Sequence, residues 1–120
     1  MANELNLKDR VIFASIIPNE KLCSYYNAMD IYLQPSVGNE AFEITVIEAL
    51  SSDKIAIVND NGGMKEIIKD VVNGYKFKIN DLDDLVNKII LVLKNKEKLN
   101  PRKSIERKYE WKNFAAEILN

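Results

Sequence analysis

The chain has 120 residues, 47% hydrophobic and 29% charged, enough for one small domain with one core and no low-complexity tract. Its 17 basic and 18 acidic residues leave a formal net charge of -1, so nothing in the charge balance draws nucleic acid. With no histidine and one cysteine, Cys23, it has no Ser-His-Asp or Cys-His nucleophile system, no His- or Cys-rich zinc site and no internal disulfide.

Free cysteine is usually buried, so Cys23 is expected to pack within a helix. A chain without disulfides suits the cytoplasm, with a peripheral position at the inner face of a membrane left open. No apolar run reaches the ~20 residues of a membrane span, and MANELNLKDR does not read as a secretory leader.

In chain order, VIFAS (11–15) is a β-branched and aromatic run that predicts a strand. PNEKLCSYYNAMD follows, with Asn19 as N-cap and Leu22, Tyr25, Tyr26 and Met29 at helical spacing. IYLQPS (31–36) predicts a second strand, stopped by Pro35. After a loop through Gly38, a helix is expected to begin near Phe42 to Thr45 and run to about Ser51. KIAIVND (54–60) is nearly all apolar, as strands buried on both faces are.

NGG (61–63) turns the chain into a short helix, MKEIIKD, and VNGY makes a second Asn-Gly turn before a strand, YKFKI (75–79). LDDLVNKIILVLKNKEKL (82–99) is a long amphipathic helix with Asp81 near its N-cap, ended by Asn100-Pro101. A charged segment over 102–119 predicts a closing helix. Alternating strands and helices define an α/β, Rossmann-like parallel sheet with flanking helices, read as a single domain over 1–120.

In such sheets ligands bind beyond the carboxyl ends of the strands, where loops enter helices. The stretch NEAFEITVIEAL places Glu40 and Glu48 eight positions apart. Glu40 is expected in the loop at the helix mouth and Glu48 about one turn inside. Free N–H groups at that helix start suit a phosphate. A diphosphate held there would lie between the two carboxylates, each free to accept hydrogen bonds from hydroxyls, as in a sugar joined through a diphosphate to a ribose. On residue type alone Glu40 reads as a surface carboxylate, whereas Glu48 sits in an apolar run and needs a partner or a ligand. Gly62 and Gly63 read equally as a tight turn, Glu66 as an exposed helix charge, Lys65 and Lys69 as solvated, and Trp111 and Phe114 as packing residues.

The stretch PSVGNEAFEITVIEALSSDKIAIVNDNGGMKEIIKDVVNGYKF resembles the retaining glycosyltransferases of family 4, in the C-terminal, donor-binding domain of the GT-B fold. The shared pattern is PS, a glutamate before an aromatic, an apolar run into a second glutamate and alanine, an apolar strand, then GG, a glutamate and Asn-Gly. The likeness extends upstream through LKDRVIFASIIPNEKLCSYYNAMDIYLQPS and downstream to KYEWKNFAAEIL. It implies transfer of a hexosyl group from a nucleotide-diphosphate sugar to an acceptor, with retention and without a metal or other cofactor. By match, Glu40 contacts the donor sugar and is the candidate catalytic residue, and Glu48 grips the ribose. Backbone amides at Phe42, Glu43 and Ile44 would meet sugar and diphosphate beside Thr45, and Ile17 and Leu22 would border the base.

The chain departs from the pattern at three places. Glu43 stands for the family's second glycine, Ser15 for the glycine after the first strand, and Asp53-Lys54-Ile55 for Gly-Lys-Pro. The resemblance also implies that the acceptor-binding domain and the Arg and Lys that hold the donor phosphates lie outside this chain. A second chain supplying that half is one expectation. A truncated inactive product and a non-catalytic binding or interaction module are the alternatives.

Overall fold

The computed structural model describes residues 5–7, 9–35, 40–60, 67–70 and 72–105, with the side chains of 40–43 and 105 outside that description. Helix α1 (Asn19–Ala28) leads to strand β1 (Ile31–Gln34), helix α2 (Glu40–Ser51) to β2 (Ile55–Asn59), and β3 (Gly74–Phe77) to α3 (Leu82–Asn95). A 3-10 turn (Lys96–Lys98) and α4 (Pro101–Ile105) follow. The strands form one parallel sheet in the order β1-β2-β3, with Ile31 opposite Ile55 and Ala56 opposite Gly74.

All five residues of β2 are buried, and the pleat, which sends alternate side chains to two covered faces, explains why its first four are all apolar. Ala56 and Val58 face a cluster with Val46, Ile47 and Leu50 of α2 and with Ile67 and Ile68, against which Tyr32 packs. Ile55 and Ile57 face the opposite cluster, with Tyr75, Phe77, Val92 and Leu99, flanked by Ile31, Leu85 and Ile89. Asp81 caps α3 as its sequence position implies, its carboxylate accepting from the Asp84 N–H at 2.9 Å. The outer edge of β3 is closed by carboxylates. The Lys76 N–H donates to Asp70 at 3.1 Å and the Lys78 N–H to Asp84 at 2.8 Å, which removes donors that an open edge would offer.

Four expectations in the first third of the chain are corrected. Residues 11–15 form no strand; Ile12 is 90%, Phe13 86% and Ile16 94% exposed. A strand is stable only in a ladder, and this run has no ladder partner among the described residues; Ser15 also turns the backbone at φ 59°. Pro18, not Asn19, precedes the first turn of α1, with φ -58° and ψ 143° and no side-chain cap; proline fixes that φ, so Asn19 is already helical. Cys23 is exposed, because α1 rests on the body through Tyr26, its buried residue, while Cys23 projects toward a groove. Glu40 is the first residue of α2 rather than part of a loop, since Glu, Ala and Phe sustain a helix whose positive end favours an acid.

The expected turn at 61–63, Gly62, Gly63, Lys65, Glu66, Ser36, Gly38, Trp111, Phe114 and most of the expected closing helix lie outside the described residues. Of the expected MKEIIKD helix, residues 67–70 are described and are not helical; Ile67 and Ile68 are buried and Asp70 bridges Gly74. Lys69 is exposed.

The family's glycine positions acquire a physical meaning. Asp53 has φ 63°, its N–H donates to Leu50 at 2.9 Å, and the Lys54 N–H donates to Ala49 at 3.0 Å. That pair of bonds is a Schellman motif ending α2, with an aspartate at the left-handed position where glycine is least strained. Ser15 is likewise left-handed.

Candidate functional site

Helix α2 leaves the carboxyl end of β1 and packs back on the sheet through Val46, Ile47, Ala49 and Leu50. Its opposite side turns Ile44 and Glu48 toward α1. Between the two helices lies a groove of about 700 Å³, lined by Leu22, Cys23, Tyr26, Ile44, Ile47, Glu48 and several small polar residues. Glu48 is the one charged side chain among the described residues that line it.

Glu48 is half-buried, and its Oε2 accepts a hydrogen bond from the Tyr26 hydroxyl at 2.9 Å. The same hydroxyl lies 3.4 Å from the Thr45 carbonyl, so its single proton goes to the nearer, charged acceptor. Burial first, and then the bond to Glu48, push the Tyr26 phenol far above its ordinary pKa. The hydroxyl therefore stays a donor at neutral pH. The Tyr32 ring lies 6.1 Å from that of Tyr26. Its oxygen is 2.5 Å from Gln34 Oε1 and 2.9 Å from Thr45 Oγ1. Since the Gln34 oxygen can only accept, Tyr32 donates to it and the Thr45 hydroxyl donates to Tyr32. Burial raises the Tyr32 pKa, against the opposing effect of the Thr45 bond.

Of the residues expected at the site, Leu22, Ile44 and Glu48 meet in this groove, and Thr45 joins the network behind it. Ile17, half-buried just before α1, does not line it. Glu40, Phe42 and Glu43 occupy the first turn of α2, with side chains outside the described residues. Glu48 lies roughly two turns from the start of α2 rather than one, because the helix begins earlier than expected. In the sequence Tyr26 shows only as apolar helical spacing and Tyr32 only as a strand residue. The available signal was an acid in an apolar run, which demands a buried donor somewhere nearby.

A second groove of about 360 Å³ opens at the carboxyl ends of the strands, lined by Pro35, Asn59, Phe77, Ile79, Leu82 and Leu85. The buried Asn59 amide donates to the Pro35 carbonyl across its floor, tying the ends of β1 and β2 together.

A parallel sheet covered on both faces, with helices following its strands, defines a Rossmann-like α/β domain. The chain belongs to the glycosyl transferases group 1 family, whose profile matches residues 1–111. It is 30% identical over 122 residues to an uncharacterised glycosyltransferase of Methanocaldococcus jannaschii, covering 98% of this chain and 31% of that protein. It is 27% identical over 101 residues to the lipopolysaccharide 1,2-N-acetylglucosaminetransferase of Salmonella typhimurium, covering 80% of this chain and 26% of that protein. Among solved structures, sucrose-phosphate synthase from Thermosynechococcus elongatus superimposes with a TM-score of 0.82 at 25% identity, covering 98% of this chain and 30% of that one. The chain thus spans about a third or less of the curated relatives it matches.

Proposed function

We propose that this chain is the donor-binding part of a retaining hexosyltransferase of family 4, equivalent to part of the C-terminal half of a GT-B enzyme, acting on a nucleotide-diphosphate sugar. The observation that carries the reading is Glu48, a half-buried carboxylate and the one charged side chain among the described residues lining the apolar groove between α1 and α2, in a chain of this family. A carboxylate there suits a ribose diol, and the apolar wall formed by Leu22 and Ile44 suits the face of a base.

Glu40 would bind the donor sugar hydroxyls. Eight residues along a helix separate the two glutamates by about 12 Å, which leaves room for the diphosphate between them. With α2 beginning at Glu40, the Phe42 amide is among the first-turn N–H groups left free for the diphosphate, where a helix dipole assists phosphate charge without a metal; the Glu43 and Ile44 amides, with Thr45 beside them, already sit within the helix and would only border the donor. Ile17 would border the base from the loop before α1.

The acceptor-binding half is proposed to pack on the apolar surface left by the exposed Ile12, Phe13 and Ile16. No helix among the described residues is long and apolar enough to cross a membrane. A cytoplasmic setting, in solution or at the inner membrane face, is proposed on the need for a nucleotide-sugar supply.

Calorimetric titration with UDP-, GDP- and ADP-hexoses tests the reading. One base series should bind, and Glu48→Gln should weaken it by tenfold or more, about the effect of losing a hydrogen bond to a charged group. Equal binding of the two proteins would reject the ribose role of Glu48. Retention would be read from the anomeric configuration of the product once the acceptor half is supplied.

A further inference from the structure

We infer that Tyr26 is a positioning residue, its hydroxyl holding Glu48 Oε2 so that the other carboxylate oxygen is aimed at the ligand diol. The inference rests on the ribose role proposed for Glu48. Tyr26 is buried at 8% exposure on α1, while Glu48 belongs to α2, so the 2.9 Å bond ties the two walls of the groove together across the ligand's path.

A free glutamate at a groove wall samples many rotamers, and a ligand that selects one must offset the lost freedom. A carboxylate already held through Oε2 has lost most of it beforehand. Among the described residues no hydrogen bond reaches Glu48 Oε1, so that oxygen remains to accept from a hydroxyl. Tyr26 itself is fixed from behind by the Tyr32 ring, and Tyr32 by Gln34 and Thr45, so the chain of contacts runs from β1 to the groove. The phenol's raised pKa keeps its proton available to Glu48 throughout the physiological range.

The test compares a ribonucleoside diphosphate with its 2′,3′-dideoxy form, using whichever of UDP, GDP or ADP binds the unsubstituted chain most tightly. Tyr26→Phe keeps the ring and its packing and removes only the hydroxyl. The ribo form should bind Tyr26→Phe about tenfold more weakly, the dideoxy form should be unchanged, and the preference for ribose should shrink accordingly. In the Glu48→Gln background, Tyr26→Phe should add little further loss. Glu48→Asp, which keeps the charge but draws it back from the phenol, should narrow the preference in the same way with Tyr26 intact. A merely structural Tyr26 would lower both affinities together and leave their ratio alone. If Glu48→Gln weakens ribose binding while Tyr26→Phe preserves the ratio, the positioning role is overturned and the Glu48 reading stands. If Glu48→Gln changes nothing, or no nucleotide binds, the Glu48 reading falls and the role of Tyr26 falls with it.

Discussion

Replacing Gly74 with alanine should be among the most disruptive single-atom additions this fold can receive. Gly74 is buried in β3 directly opposite Ala56 of the central strand. A Cβ built there collides with the Ala56 carbonyl oxygen and lies 2.9 Å from its carbonyl carbon and 3.1 Å from its nitrogen. Carbon contacts are comfortable only at ~3.5–4.0 Å, and all three obstacles are backbone, which cannot swing aside as a side chain can. Relief requires β3 to move away from β2, loosening the contacts of Tyr75 and Phe77 with the cluster on that face. Overpacking relieved by side-chain adjustment costs ~1–3 kcal/mol, so a backbone clash should cost about 3 kcal/mol or more. Against a typical domain stability of ~5–15 kcal/mol, that is a large fraction, with a fall of roughly 10 °C or more in Tm. Urea titrations followed by far-ultraviolet circular dichroism would measure it, with the exposed Lys78→Ala as control. A loss below about 1 kcal/mol for Gly74→Ala would refute the close-approach argument.

Three further outcomes follow from other parts of the molecule. Asp53→Gly relieves a left-handed aspartate at the end of α2 but loses the bond it accepts from the exposed Arg102 N–H at 3.3 Å; the balance should be a gain of about 0.5–1 kcal/mol in the same titration, and a loss would show that the Arg102 bond outweighs the strain. Tyr26 and Tyr32 have folded pKa values above the ordinary 10.0, so their contribution is complete below pH 10 and is lost as pH climbs through the raised values. Stability should therefore fall above pH 10 with a slope approaching about 1.4 kcal/mol per pH unit for each tyrosine, and Tyr26→Phe should flatten it; an unchanged alkaline slope would contradict the buried phenol–carboxylate pair. Glu43→Gln removes a negative charge from the first turn of α2 and should tighten nucleoside diphosphate binding several-fold at low salt, whereas weaker or equal binding would place that carboxylate away from the diphosphate.

The sheet was legible where burial on both faces wrote itself into the residues. The apolar run over 55–58 within β2 and the amphipathic period of α3 needed no further context. The Asn73-Gly74 dipeptide predicts a turn, and the chain does turn there, but the reasons are more specific. The buried Asn73 amide donates to the Ile67 carbonyl at 2.8 Å and to Ser104 at 3.1 Å, and its oxygen accepts from the Lys69 N–H at 2.9 Å. Asn73 thus ties α4 to the strand, while Gly74 admits the neighbouring backbone. Neither job is visible from a dipeptide.

VIFAS failed for the opposite reason. Its composition is that of a strand, but pairing is decided by what lies alongside, and a propensity carries no information about a neighbour. At the site, Glu48 was found because an acid in an apolar helix is conspicuous. Tyr26 was hidden because a tyrosine at helical spacing looks like packing until its hydroxyl is located.

The most direct test of the central claim is a thermal melt of the chain, alone and with UDP, GDP or ADP in excess. A nucleotide at about 100 times its dissociation constant adds ~2.7 kcal/mol, which should raise the midpoint of a domain this size by roughly 10 °C. The account predicts that one base produces this shift and that Glu48→Gln abolishes most of it. A cooperative melt that none of the three nucleotides moves would contradict it.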